Sequence, residues 1–246
     1  MQKILRGSLL AGLLAVLMCL YGCAHTMSAI EHREMQTSVK MSDTIFLDVK
    51  NLAKNRTIFV RASNTSDMQE IAFGDLLINS LRAKGMEVVT DPSQAGYILQ
   101  ANVLYMDYEK EGMTADGMLA GGYGGALAGA VLGGRGWKGP AAGAAAGAVV
   151  GSVVGGLIAS QIKVETFIGT VDVQIEEKVE GGVKGKMTAN VAQGTSTQMH
   201  TERAIQSDYQ TYRTRLVAKA KQTNIDKKEA AKILSEKLAT QIAALF

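Results

Sequence analysis

Glycine returns every fourth residue through the middle of this chain: Gly117, Gly121, Gly125, Gly129 and Gly133, then Gly139, Gly143, Gly147, Gly151 and Gly155. Four residues advance an α-helix by about 400°, so each series draws one slowly drifting stripe along a helix. A stripe without side chains lets two backbones approach closely, as in small-xxx-small packing of membrane helices. Gly117–Gly134 and Pro140–Ser160 contain 18 and 21 residues and no charged side chain. As helices they would be roughly 27 and 31 Å long, close to the ~30 Å hydrocarbon thickness of a bilayer. Between them, Arg135-Gly136-Trp137-Lys138-Gly139 supplies two cations and an interfacial aromatic, making Arg135, Trp137 and Lys138 the expected exposed tip. Pro140 suits the first turn of the second helix.

A disordered linker and a packed hairpin inside a soluble core are the competing readings of this block. Linkers favour Ser and charge, whereas Leu, Val and Ile fill the faces between these glycines. In a water-exposed helix each Gly costs about 1 kcal/mol relative to Ala, so helices of this kind need close packing. A period of four is not a strand period. The pattern therefore predicts a membrane-type helical hairpin. Its apolar side chains are mostly Ala and Val, which makes insertion of a lone hairpin only marginally favourable. A homo-oligomer packed through the glycine stripes would supply the missing contacts.

The N-terminus carries its own membrane signal. Lys3 and Arg6 precede an uncharged run from Ser8 to Leu20, about 13 residues and too short for a comfortable helical span. Leu20-Tyr21-Gly22-Cys23 resembles a lipobox, which predicts cleavage between Gly22 and Cys23 and lipid attachment at Cys23. An uncleaved N-terminal anchor is the alternative. Removal of residues 1–22 lowers the net charge from +3 to +1 and leaves Cys23 as the one cysteine, so no internal disulfide can form. A near-neutral chain is a poor nucleic-acid binder, because phosphate contacts demand a basic surface. Several acyl chains anchor firmly where one binds marginally. Ala24 and His25 follow Cys23, with no Asp to signal inner-membrane retention, so the expected address is the outer membrane. The diacylglycerol and acyl groups are covalent; no separate cofactor is expected.

Around the block, the pattern predicts an α+β domain: an antiparallel-rich sheet with two helices, interrupted by the hairpin. Residues 23–42 read as the acylated N-terminus and a polar tether, 43–112 as the first half of the domain, 113–160 as the hairpin and 161–246 as the second half. Ile45, Leu47 and Val49 alternate as a strand would, as do Ile58 and Val60. Ser66-x-x-Gln69 and Asp67-x-x-Glu70 are capping boxes ahead of a helix bearing Phe73, Leu77 and Leu81, with Gly85 placed to end it. Strand signals follow at 87–90 and, after Asp91-Pro92, along 97–108. Val171, Val173 and Ile175 alternate with Asp172, Gln174 and Glu176, a half-solvated antiparallel strand. Gly181-Gly182 predicts a hairpin turn into 187–191, and another strand runs through 209–218. Asp226-x-x-Glu229 caps a closing helix with Ile233, Leu234, Leu238, Ile242 and Leu245 at helical spacing.

No catalytic constellation emerges. Gly134 to Gly139 satisfies G-x-G-x-x-G, but no strand leads into it, as a dinucleotide site requires. His25, His32 and His200 lack metal-ligand spacing. Ser196 has no nucleophile-elbow context, and Asp75 has no carboxylate partner nearby. Glu176 and Glu177 are adjacent on a strand and face opposite sides, so they form no dyad. Tyr105, Tyr108, Tyr209 and Tyr212 read as packing residues, with membrane-interface anchoring the alternative for the first two. The chain is expected not to be an enzyme.

Short segments on both sides of the block carry a resemblance. They are Met41-Ser-Asp-Thr-Ile45, Arg56-Thr-Ile-Phe59, Asn64-Thr-Ser-Asp67, Ala83-Lys-Gly85, Val88-Val-Thr90, Gln100-Ala-Asn-Val-Leu104, Thr170-Val-Asp-Val-Gln-Ile175 and Gln193-Gly-Thr-Ser196. In this order they resemble the TraT family of outer-membrane lipoproteins from conjugation systems. The resemblance implies surface exclusion, a lowering of mating-pair formation with donors carrying a related element, and complement resistance. The implied partners are membrane lipids, further copies of the chain, and a donor pilus or surface protein. A structural glycine-zipper lipoprotein and a pore-forming envelope component remain the alternatives.

Overall fold

The structure, a computed structural model, describes residues 32–125, 127, 163–193 and 197–246, with 187–203 and 205 described by their backbone alone. Six strands form one sheet: β1 (Gln36–Met41), β2 (Thr57–Asn64), β3 (Glu87–Val89), β4 (Tyr97–Tyr108), β5 (Val164–Gln193) and β6 (Thr197–Thr223). Four helices join them: α1 (Val49–Lys54), α2 (Phe73–Ala83), α3 (Ala115–Ala120) and α4 (Lys227–Ala243). The strand order is β1-β6-β5-β4-β2-β3.

The class is α+β, but the sheet is mixed where an antiparallel-rich one was expected. β1, β6, β5 and β4 pair antiparallel, whereas β4–β2 and β2–β3 are parallel. The cause is α2. Strands joined through a helical crossover return in the same direction, while a tight turn would have reversed them.

Three local expectations are also corrected. Residues 45–49 do not form a strand: Asp48 accepts a hydrogen bond from the Lys50 N–H and starts α1 at Val49. The adjoining edge of β6 is already taken by β1, whose residues lie within the span read as tether. α2 begins at Phe73, later than its capping boxes. The Ser66 hydroxyl instead donates to Asn64 Oδ1, and the Gln69 amide donates to the Ser66 carbonyl. Gly181 and Gly182, at φ +88° and +71°, make a bulge inside β5 and not a hairpin turn. The register slips between Lys178 and Val183, and β5 continues to Gln193.

Elsewhere the pattern holds. The capping Asp226 accepts from the Glu229 N–H at 2.8 Å, and Gly85 follows α2 at φ +82°. α2 and α4 cover one face of the sheet. Phe73, Leu77 and Leu81 pack with Leu234, Leu238 and Ile242 over Leu99, Val103, Val171, Val173 and Ile175. Gly169 permits this closeness, since a Cβ there would meet Met106 and Leu238 at 3.0–3.1 Å. An irregularity in β4 between Val103 and Tyr105 reverses the alternation. Val103 and Met106 therefore both reach the helical core, while Tyr105 turns to the opposite face. There Tyr105, Met118, Ile168 and Val217 form a second small core beneath α3.

Candidate functional site

The face of β5 and β6 turned away from α2 and α4 receives the beginning of the Gly/Ala segment. Thr114 caps α3 by accepting from the Gly117 N–H at 3.1 Å, and α3 lays Met118, fully buried, between Ile168 and Val217. The helix ends at Ala120. Gly122 and Gly124, at φ +61° and +67°, then turn the chain through conformations that side-chain-bearing residues rarely adopt.

Arg215 is the centre of this docking. It stands opposite Asp172 in the β5–β6 register and is 1% exposed. Its Nε and Nη2 donate to the two Asp172 carboxylate oxygens at 2.6 and 3.0 Å, a bidentate pair. Nη1 also reaches the Met118 carbonyl at 3.2 Å, and Nη2 the Gly125 carbonyl at 3.1 Å. Asp172 in turn accepts from the Gly124 N–H at 2.8 Å. One buried ion pair thus holds three backbone groups of the outgoing segment. Tyr123 adds its ring over the Arg213 guanidinium at 5.5 Å, and Arg213 donates to Gln174 Oε1 at 2.8 Å. The Lys40–Asp116 pair, 3.4 Å and exposed on both sides, contributes little.

The returning leg is tied at the end of β6. Asn224, at φ +52°, donates its N–H to the Lys163 carbonyl at 2.7 Å and accepts from the Lys163 N–H at 3.0 Å. The neighbouring Thr223 N–H donates to the His32 carbonyl at 2.8 Å, so the N-terminal segment meets the same point. The two legs are anchored apart. Asp172 lies eight residues along β5 from Val164, about 27 Å of strand.

Near that end, Asp107 joins Lys110 at 2.7 Å and Lys227 at 2.8 Å. Burial alone would raise its carboxyl, but hydrogen bonds from both lysines and the Tyr108 backbone outweigh it and hold it at about 2. At the opposite end, Glu177 is buried and accepts from the Tyr97 and Tyr212 hydroxyls, the Asn51 amide and the Asp48 N–H. It ties α1 to three strands. Burial first, and then the Glu177 charge, raises the Tyr97 hydroxyl above its ordinary range. Glu176 turns the other way, toward the Gln174 amide.

Of the glycine series, three members are described. Gly117 lies in α3, Gly121 closes it, and a Cβ on Gly125 would collide with the Gly121 carbonyl. Over this stretch the spacing serves a tight exit from the sheet, where a continuous helix from Gly117 was expected. Gly129, Gly133, Gly139, Gly143, Gly147, Gly151 and Gly155, the tip residues Arg135, Trp137 and Lys138, and the cleavage pair Gly22 and Cys23 lie outside the described residues. Among the described residues no helix is long and apolar enough to cross a membrane, and no group of acids and histidines is arranged for a metal. The Arg215–Asp172 pair escapes sequence reading because its members are 43 residues apart. Glu177 had a signal, since the alternation that turns Val171, Val173 and Ile175 inward turns Glu177 inward as well.

The arrangement defines an α+β domain that grips both legs of an apolar Gly/Ala insertion against one sheet. A family model described as Enterobacterial TraT complement resistance protein matches residues 34–246, and the chain belongs to that family of envelope-associated proteins. A TraT complement resistance protein of Escherichia coli is 37% identical over 133 residues, covering 54% of this chain and 51% of that one. One from Escherichia coli K12 is 36% identical over 125 residues, 51% and 50% of the two chains. The chain thus spans about half the length of the curated relatives it matches. Among solved structures, the PelC dodecamer from Paraburkholderia phytofirmans is 10% identical over 85% of this chain and 98% of that one, at a TM-score of 0.35.

Proposed function

We propose that this chain is an outer-membrane lipoprotein, acylated at Cys23, that lowers mating-pair formation with donors carrying a related conjugative element. Membership of the TraT family carries the reading, and the double grip on the Gly/Ala insertion supports it. Asp172–Arg215 holds the outgoing end of the insertion, and Asn224 holds its returning end. In this reading its two glycine-striped helices insert in the bilayer and pack with those of other copies. The Arg135–Gly139 turn faces outward, and the α+β domains cover the periplasmic side. A donor pilus or surface protein is blocked at the exposed tip.

Quantitative mating tests the reading directly. Recipients carrying the protein should receive a related plasmid less often than recipients lacking it; equal transfer frequencies refute exclusion for that pairing. A Trp137→Cys variant should label with a membrane-impermeant thiol reagent on intact cells, whereas labelling only after permeabilisation reverses the orientation. Complement resistance is a second reading, favoured by the description that the family and its curated relatives share. Survival of expressing and non-expressing cells in serum measures it.

A further inference from the structure

The first half of α4 and the approach to α2 do not close on each other. Ala231 and Ser235, one helical turn apart on α4, are too small to fill the space between, and a cleft of about 410 Å³ opens there. That volume falls within the ~300–1,000 Å³ of small-molecule sites. Met68, Ile71 and Leu76 line the opposite wall. The Ser235 hydroxyl is buried and donates to the Ala231 carbonyl at 2.6 Å, so it presents no unsatisfied donor to the cleft. The charged groups that border the cleft are all exposed. Lys228 and Lys232 stand on the α4 side, Glu70 and Asp75 on the α2 side, and Glu236 follows one turn beyond Lys232. Among the described residues none of the five is in an ion pair.

We propose that this cleft binds one acyl chain of a zwitterionic phospholipid, its phosphate toward Lys228 and Lys232 and its ammonium toward Glu70 and Asp75. An aliphatic chain suits walls of Met68, Ile71, Leu76 and Ala231, because no buried polar group is left unpaired when it enters. The charges select the headgroup. A fatty-acid carboxylate or an anionic headgroup would meet three acids along with the two lysines, whereas a group carrying both signs can face each wall with its opposite. Position selects the source. α4 starts at Lys227, just after Thr223 and Asn224, whose backbone N–H groups hold the His32 and Lys163 carbonyls. The cleft thus lies near the end of the sheet where the N-terminal segment and the returning leg enter. Naming a membrane lipid over a dissolved amphiphile rests on the membrane placement proposed above.

Photolabelling tests the site. The full-length protein is reconstituted in phosphatidylglycerol vesicles that contain lysophosphatidylethanolamine with a diazirine in its acyl chain, and cross-linked peptides are located by mass spectrometry. Labelling should fall on 68–76 and 228–236, several-fold above that from a diazirine fatty acid of the same chain length. Ala72→Phe, at an exposed position on the cleft wall, should lower it several-fold by filling the space. Lys228→Glu with Lys232→Glu, both exposed, should remove the preference for the zwitterion. Absence of label from the cleft, label unchanged by Ala72→Phe, or equal label from the fatty acid each overturn the proposal. The Gly/Ala block reports separately on the membrane placement. Label confined to 117–160 overturns the cleft and leaves that placement standing, while label in the cleft with none in 117–160 sustains the cleft and counts against the placement.

Discussion

Asp172→Ala isolates what holds the Gly/Ala insertion to the sheet. The substitution leaves the Arg215 guanidinium 1% exposed and without its bidentate carboxylate, facing mainly the Met118 and Gly125 carbonyls. Breaking a buried pair by removing one partner typically costs about 3–5 kcal/mol, because the surviving charge stays desolvated. Total stabilities are on the order of 5–15 kcal/mol, so the loss is a large fraction of the whole. With a urea dependence of about 2 kcal/mol per M, the unfolding midpoint should fall by roughly 1.5–2.5 M. Far-UV circular dichroism of the detergent-solubilised protein in a urea series reads that shift. Asp172→Leu with Arg215→Met should recover most of it, since an apolar replacement of similar volume is often neutral. The double variant still lacks the donors to the Gly125 and Met118 carbonyls and the acceptor for the Gly124 N–H. Hydrogen exchange at 117–125 should therefore remain faster than in the wild type although global stability returns. A midpoint shift below about 0.5 M for Asp172→Ala, or a double variant as unstable as the single, would refute the clamp.

Three further outcomes follow from the geometry. Gly125→Ala should destabilise the domain itself through collision with the Gly121 carbonyl, whereas Gly147→Leu should lower particle mass in detergent and leave the urea midpoint unchanged. Asp107 is held at about 2, below its ordinary 3.8, so its contribution is full above the ordinary value and is lost as pH falls through about 2. Between pH 5 and 2 the wild type should lose about 1 kcal/mol more than Asp107→Asn, a modest figure because both lysines are partly exposed. Cys23→Ser should mislocalise the protein on membrane fractionation; unchanged outer-membrane recovery contradicts lipid-directed sorting.

Local patterns carried the elements whose reasons are local. The alternation of β4, the spacing of Phe73, Leu77 and Leu81, and the Asp226 cap each depend on residues a few positions apart, and each stands in the structure. β1 was hidden because Gln-Thr-Ser-Val-Lys-Met reads as polar tether, and only the free edge of β6 makes it a strand. The parallel pairs depend on which strand a crossover returns to, a choice absent from any window of sequence. The clamp was illegible for the same reason. Asp172 looks like an ordinary solvent-facing residue until the register sets Arg215 opposite it and α3 covers both. Gly181-Gly182 was legible as positive φ but not as a bulge, because the long continuation of β5 exists only through β6.

The pairing of β1 with β6 also bears on how such a chain is made. Gln36 meets Lys221, so an edge strand near the start waits for almost the whole polypeptide to emerge before it finds its place. Arg215, which grips the outgoing leg, arrives 90 residues after Gly125. During synthesis Gly125 therefore emerges well before the residue that grips it. Contacts of such long separation close slowly and leave sticky intermediates in the meantime. A truncation just before Arg215 should therefore be degraded or aggregate instead of accumulating as a folded core.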